Sequence, residues 1–225
     1  SNFITFDAHD PRIQNAAPLK GFDNFTAHYQ FARALLNAEK DLVMDKDHII
    51  VISPDEGALD RAIYFSSVLG ADTGMFYKRR DYSTVVNGKN PIVAHEFLGD
   101  SVEGKDVVVI DDMISSGESM LEVAAALKER KANKIFVFST FGLFTNGLDK
   151  FDKAYENGII DKVLTTNLIY QTPELLQREW YINCDMSKYI AYIIDTLNHD
   201  SSISDLLNPN ERIQNIVAKY KKGEL

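Results

Sequence analysis

Short, unbroken apolar runs alternate along this chain with stretches in which apolar residues recur every three to four positions. The runs read as buried strands and the periodic stretches as helices, so the alternation predicts an α/β chain with crossover units around a parallel sheet. His48–Ile52 predicts a strand, and after Ser53-Pro54-Asp55 the residues Ala58, Ala62, Phe65 and Leu69 fall on one helical face. Gly74–Tyr77 predicts a short strand. Lys78–Leu98 is polar and glycine-bearing, and reads as a long excursion, the kind of loop that often serves as a lid.

Val107–Ile110 predicts the next strand, Met120, Val123, Ala124 and Leu127 a helical face, and Ile135–Phe138 a return to the sheet. Val163-Leu164 and Tyr181-Ile182 are shorter strand candidates. Met186 to Leu197 and Ile213 to Tyr220 carry helical spacing. Residues 45–200 are therefore expected to form one domain, with 201–225 a helical extension. Phe3–Phe6 reads as a strand with no cap or turn before it, so residues 1–44 are expected to be the tail of a preceding, truncated domain.

With 225 residues, 45% of them apolar, the chain can bury a substantial core. A net charge of −9 argues against binding nucleic acid, which needs a basic face, but not against a small phosphorylated ligand met by one loop or by a divalent cation. No stretch approaches the ~20 apolar residues that span a bilayer, Ser1–Ile4 carries no cationic leader, and Cys184 has no disulfide partner. A cytoplasmic protein without a membrane partner is expected.

The most informative segment runs from Val107 through Asp111-Asp112-Met113-Ile114 to Ser115-Ser116-Gly117-Glu118-Ser119. A buried strand delivers two adjacent carboxylates to the carboxyl edge of a sheet, where open α/β folds bind ligands. The small residues after it let backbone N–H groups approach a phosphate at a helix start. Carboxylates repel a phosphate but suit sugar hydroxyls, directly or through Mg²⁺, so the segment points to a sugar phosphate. A solvated strand end and a helix cap account for the residues singly but not for their order.

This segment resembles the binding signature for phosphoribosyl pyrophosphate (PRPP) of the phosphoribosyltransferase superfamily. Three more segments resemble ribose-phosphate pyrophosphokinases: Asp7-Ala8-His9 followed by Ile13-Gln14, Ser53-Pro54-Asp55, and Lys78-Arg79-Arg80. The resemblance implies a type I phosphoribosyltransferase-like fold, a parallel sheet flanked by helices with a long flexible catalytic loop, and residues 1–44 as the tail of a second such domain. It implies transfer of pyrophosphate from Mg-ATP to ribose 5-phosphate, with Mg²⁺ required and a homo-oligomer as the working form. Lys78 and Arg80 would close over the phosphates. Asp111, Asp112, Ser115, Ser116, Gly117, Glu118 and Ser119 would hold ribose 5-phosphate, and Asp7, His9 and Asp55 the metal-nucleotide.

Asp7 and His9 alternate with apolar neighbours, and a strand there would aim both to one side. Thr140-Phe141-Gly142 and Thr166-Asn167 are weaker echoes. Ser115, Glu118 and Phe141 depart from the family pattern, which commonly has Asp, Gly and His at these places. The alternatives are a transferase that consumes PRPP and a catalytically silent regulatory homologue.

Overall fold

A computed structural model describes residues 2–80 and 92–225. A two-stranded parallel sheet, β1 (Phe3–Phe6) and β2 (Phe22–Phe25), is followed by α1 (His28–Ala38). The main sheet contains β3 (Ile49–Ser53), β4 (Asp72–Arg80), β5 (Ile92–Leu98), β6 (Asp106–Ile114), β7 (Ile135–Gly142), β8 (Lys162–Thr166) and β9 (Tyr181–Cys184). Its helices are α2 (Leu59–Leu69), α3 (Glu118–Glu129), α4 (Asp149–Glu156), α5 (Pro173–Leu176), α6 (Ser187–Asn198), α7 (Ser204–Leu207) and α8 (Asn210–Lys221).

The seven strands lie in the order β5-β4-β3-β6-β7-β8-β9, and every pairing is parallel except β4 with β5. From β3 the chain moves outward to β4 and β5, then returns to the other side of β3 as β6. The sheet therefore reverses its direction of growth between β3 and β6, and a crevice opens beyond their carboxyl ends.

The central strands are apolar on both sides because both faces of the sheet are covered. Ile49, Val51, Val108, Ile110, Phe136 and Phe138 pack toward α1, α2, α6 and α8. Ile50, Ile52, Val107, Val109, Ile135 and Val137 pack toward α3 and α4. The first cluster also takes in Phe25, Phe31, Ile213 and Val217, so one core runs through residues on both sides of positions 44 and 200.

Two expectations need correction. The strand at Gly74–Tyr77 extends over Asp72–Arg80, and the supposed excursion beginning at Lys78 is strand at both ends. Met75 pairs with Leu98 and Arg80 with Ile92 in an antiparallel ladder that shifts between Arg79 and Arg80. Packing outweighs the polar composition here: the Phe76 and Phe97 rings lie 5.3 Å apart under the Arg130 guanidinium, 5.6 Å from each. Residues 81–91, the middle of the expected lid, lie outside the described residues, as do the side chains of Lys78 and Arg80.

The strand at Val107–Ile110 likewise continues to Ile114, because Asp111 and Met113 stay in register with Ser139 and Phe141 of β7. Among the described residues no helix is long and apolar enough to cross a membrane.

Candidate active site

β6 ends at the sheet's reversal point, and its last residues carry the acidic pair there. Asp111 is partly exposed and Asp112 buried. The Asp112 N–H donates to Asp111 Oδ1 at 2.8 Å. Burial, the neighbouring Asp112 and the more distant Asp55 charge push the Asp111 carboxyl well above the ordinary range. Asp112 moves the other way. Burial would raise it, but its contacts with Asp111 and His9 and the Arg61 charge together hold it low.

Just beyond, Ser115–Ser119 wraps a cavity of about 190 Å³ lined by Asp55, Asp111, Ser115, Ser116, Gly117 and Ser119, among others. Two backbone bonds moor the loop, Leu143 N–H to Ile114 O at 2.8 Å and Thr145 N–H to Ser115 O at 2.9 Å. Gly117 has φ +81°, and a Cβ there would lie 2.3 Å from two atoms of the Phe151 ring, so both conformation and space call for glycine. α3 starts at the next residue, directing its N-terminus toward the loop.

Asp55, expected with Asp7 and His9 at the metal-nucleotide, sits at the turn into α2. Its Oδ1 accepts from the N–H groups of Gly57 at 2.9 Å and Ala58 at 3.2 Å, fixing the turn into α2. It also faces the loop cavity, not the side where Asp7 and His9 lie. Glu118, expected at the sugar phosphate, is exposed and ion-pairs with Lys150. Thr166 and Asn167 are used structurally: Thr166 Oγ1 donates to Thr140 O at 2.6 Å, and Asn167 Oδ1 accepts the Met186 N–H at 2.8 Å.

Asp7 and His9 do not share one strand face, since β1 ends at Phe6 and Asp7 adopts φ +44°. That left-handed turn, which Asp tolerates better than most residues, buries Asp7 and leaves the His9 side chain 78% exposed. His9 Nδ1 nevertheless reaches Asp112 Oδ2 at 2.7 Å, and this hydrogen bond raises the imidazole's pKa.

Arg61 completes the centre and was missed in the sequence. Its Nε and Nη2 donate to Asp7 Oδ1 at 3.1 and 2.8 Å, and its Nη1 lies 3.7 Å from Asp111 Oδ1. One signal pointed to it: Arg61 falls on the same helical face as Ala58, Ala62 and Phe65, where a charge needs a partner.

A second cavity, about 380 Å³, opens on the side of Asp7, His9 and Arg61, with Asn24, Tyr64 and Asn210 also in its wall. A cleft of about 500 Å³ between α1 and α6 contains none of the predicted residues. Among the described residues no group of three or more His, Cys, Asp or Glu side chains is arranged to hold a metal ion. Mg²⁺ carried by a phosphorylated ligand needs only one or two protein carboxylates beside phosphate oxygens and water, and the acidic pair fits that mode.

A sheet that reverses at β3 and β6, with an acidic pair and a small-residue loop at the reversal, defines the type I phosphoribosyltransferase-like fold. A solved phosphoribosylpyrophosphate synthetase from Mycobacterium smegmatis superimposes on it with a TM-score of 0.71 at 18% identity, covering 88% of this chain and 59% of that one. Residues 80–208 match the phosphoribosyl synthetase-associated domain, and the chain belongs to that family. A ribose-phosphate pyrophosphokinase of Shewanella oneidensis is 31% identical over 206 residues, 91% of this chain and 60% of its own length. One from Pyrococcus abyssi is 33% identical over 165 residues, 73% of this chain and 51% of its own length. The chain thus spans roughly half to three-fifths of these curated relatives.

Proposed function

We propose that the protein containing this chain transfers pyrophosphate from Mg-ATP to the 1-hydroxyl of ribose 5-phosphate, giving PRPP and AMP. One observation carries the reading: Asp111 and the Ser115–Ser119 loop line a single small cavity at the reversal point of the sheet. Its two ends differ in charge. The loop offers backbone donors and a helix N-terminus to the 5-phosphate, while Asp111 and Asp112 suit the ribose hydroxyls.

The metal-nucleotide approaches from the His9 side, where an exposed imidazole already faces Asp112. Mg²⁺ would be held by the acidic pair and would supply charge neutralisation at the phosphates. Held ribose hydroxyls and an in-line phosphoryl group lower the barrier by positioning, and Lys78 and Arg80, by resemblance, add cations where charge develops. Asp55 lines the cavity proposed for the sugar phosphate. The working form is a homo-oligomer in the cytoplasm, a setting supported by the free, buried thiol of Cys184.

The test is calorimetric titration of the chain with ribose 5-phosphate, then an AMP-release assay on the protein at its relatives' full length. Micromolar-to-millimolar sugar-phosphate binding and AMP release that depends on the sugar phosphate are expected. Sugar-phosphate binding with no AMP release would overturn the synthase reading in favour of a PRPP-consuming transferase or a silent homologue.

A further inference from the structure

Asp7 is expected, by resemblance, to hold the metal-nucleotide, yet both of its carboxylate oxygens are already committed inside the protein. Oδ1 accepts two hydrogen bonds from Arg61, and Oδ2 accepts the Thr140 hydroxyl proton. The pair is well buried, with 13% of the Arg61 side chain and 9% of the Asp7 side chain exposed. Thr140 is anchored in turn, its carbonyl accepting from Thr166 Oγ1 at 2.6 Å. Asp7 N–H donates to Phe25 O at 2.8 Å, closing β1 against β2. The carboxylate therefore ties the end of β1 to α2 and, through Thr140 and Thr166, to β7 and β8.

Two residues further on, His9 turns outward with its ring exposed and Nδ1 on Asp112. Arg61 meanwhile sets a fixed positive charge between Asp7 and Asp111. Three of the carboxylate's roughly four acceptor positions are thus filled, and a cation that drew it away would break charge-assisted bonds and leave the Arg61 guanidinium only Asp111, at 3.7 Å.

We infer that Asp7 is a positioning residue and not a ligand of the metal-nucleotide: with Arg61 and Thr140 it clamps the left-handed turn after β1, which aims His9 at Asp112 and leaves ligand contact to His9 and the acidic pair. This deepens the proposed function and rests on it only for the identity of the ligands. The clamp itself is a property of the chain.

The test uses Asp7→Asn, Arg61→Gln, Arg61→Lys and the double variant Asp7→Asn/Arg61→Gln, with Asp112→Asn as reference. Thermal denaturation should show each neutralising single variant lowered by roughly 5–10 °C, since each strands a buried charge. The double variant should lose clearly less than the sum, and Arg61→Lys should recover part of the loss.

A fold-stabilising role alone would stop there. The clamp also predicts that, in the folded single variants, the imidazole ¹⁵N shifts of His9 move toward those in Asp112→Asn, because His9 is no longer aimed. Titration of Mn²⁺ with ATP should weaken in Asp7→Asn no more than threefold beyond its weakening in Arg61→Gln, which keeps the Asp7 carboxylate but loosens the same clamp.

Additive losses in the double variant would overturn the inference, and where a single variant fails to fold, so would a double variant that fails with it. So would a tenfold or greater weakening of Mn²⁺-ATP in Asp7→Asn with its melting temperature and His9 signals unchanged. If the unaltered chain binds neither ribose 5-phosphate nor Mn²⁺-ATP, the functional reading fails while the melting and His9 measurements still decide the clamp.

Discussion

Replacing Gly117 with alanine tests whether the loop after β6 is as tightly specified as its geometry implies. The residue sits at φ +81°, and placing an L side chain in left-handed backbone costs about 1–2 kcal/mol. The new methyl would also stand 2.3 Å from the Phe151 ring, far inside contact distance. Phe151 is fully buried and cannot swing away freely, since the rings of Phe144 and Trp180 lie 5.1 and 5.5 Å from it. Overpacking of that kind costs about 1–3 kcal/mol, for a combined loss of roughly 2–5 kcal/mol. In a chain of this size that corresponds to a melting temperature lowered by roughly 4–20 °C.

Differential scanning calorimetry on Gly117→Ala, Phe151→Leu and the pair separates the two terms. Leucine removes the ring atoms that the methyl meets but leaves the backbone cost, so the double variant should be more stable than additivity predicts by about 1–3 kcal/mol. Ribose 5-phosphate affinity should fall with Gly117→Ala, because relieving the clash displaces the loop that forms the cavity. A Gly117→Ala protein that melts with the unaltered chain would refute the reasoning, and strictly additive losses would refute the contact with Phe151.

Three further outcomes follow from the same centre. A carboxyl whose folded pKa is raised, as for Asp111, contributes stability that is full below the unfolded pKa and is lost as pH rises through the folded value. Asp111→Asn should therefore gain stability over the unaltered chain at pH 8, by about 1–2 kcal/mol given the opposing fall at Asp112, and gain less at pH 5; guanidinium denaturation at both pH values checks this, and an equal gain at both refutes it. Asp112→Ala should weaken ribose 5-phosphate binding at least tenfold by calorimetry, and unchanged affinity would remove Asp112 from the sugar site. Lys78→Ala in the full-length protein should abolish AMP release with ribose 5-phosphate binding retained, and a near-normal rate would end the proposed part of Lys78.

Much of this fold is readable in the chain because its central strands are buried on both faces. Runs such as Ile49–Ile52 and Val107–Ile110 leave little choice but strand, and the periodic faces between them leave little choice but helix. Where the chain was misread, a tertiary contact overrode composition. Asp111-Asp112 interrupts the apolar run yet remains strand through its pairing with β7. Ile92–Leu98 looked like part of a polar loop, but β4 offered it an edge and Phe76 offered Phe97 a ring.

The site divides in the same way. The loop and the acidic pair are contiguous in sequence and were legible as a unit, whereas the cation among the acids comes from another element. Arg61 carries no motif of its own beyond its place on a buried helical face. Asp7 and His9 were grouped by a strand alternation that the turn at Asp7 abolishes.

Taken together, the charges at this centre constrain how any phosphorylated ligand can lie. Asp7, Asp111 and Asp112 gather around Arg61, and Asp7 already accounts for the shortest of that guanidinium's ion pairs. What remains beside the cavity is net negative until a cation arrives. A phosphate entering there would face the carboxylates of Asp55 and Asp111, while a few ångströms along the same wall it meets loop N–H groups and the start of α3. Under the proposed function, repulsion at one end and backbone donors at the other would fix a sugar phosphate in one direction, hydroxyls toward β6 and phosphate toward the loop. A second, phosphorylated ligand would then join its phosphates to the acidic pair only with a divalent cation between them. On that reading, a preference for a metal-borne polyphosphate would be set by the carboxylates proposed to hold the sugar, since without the metal they would exclude it.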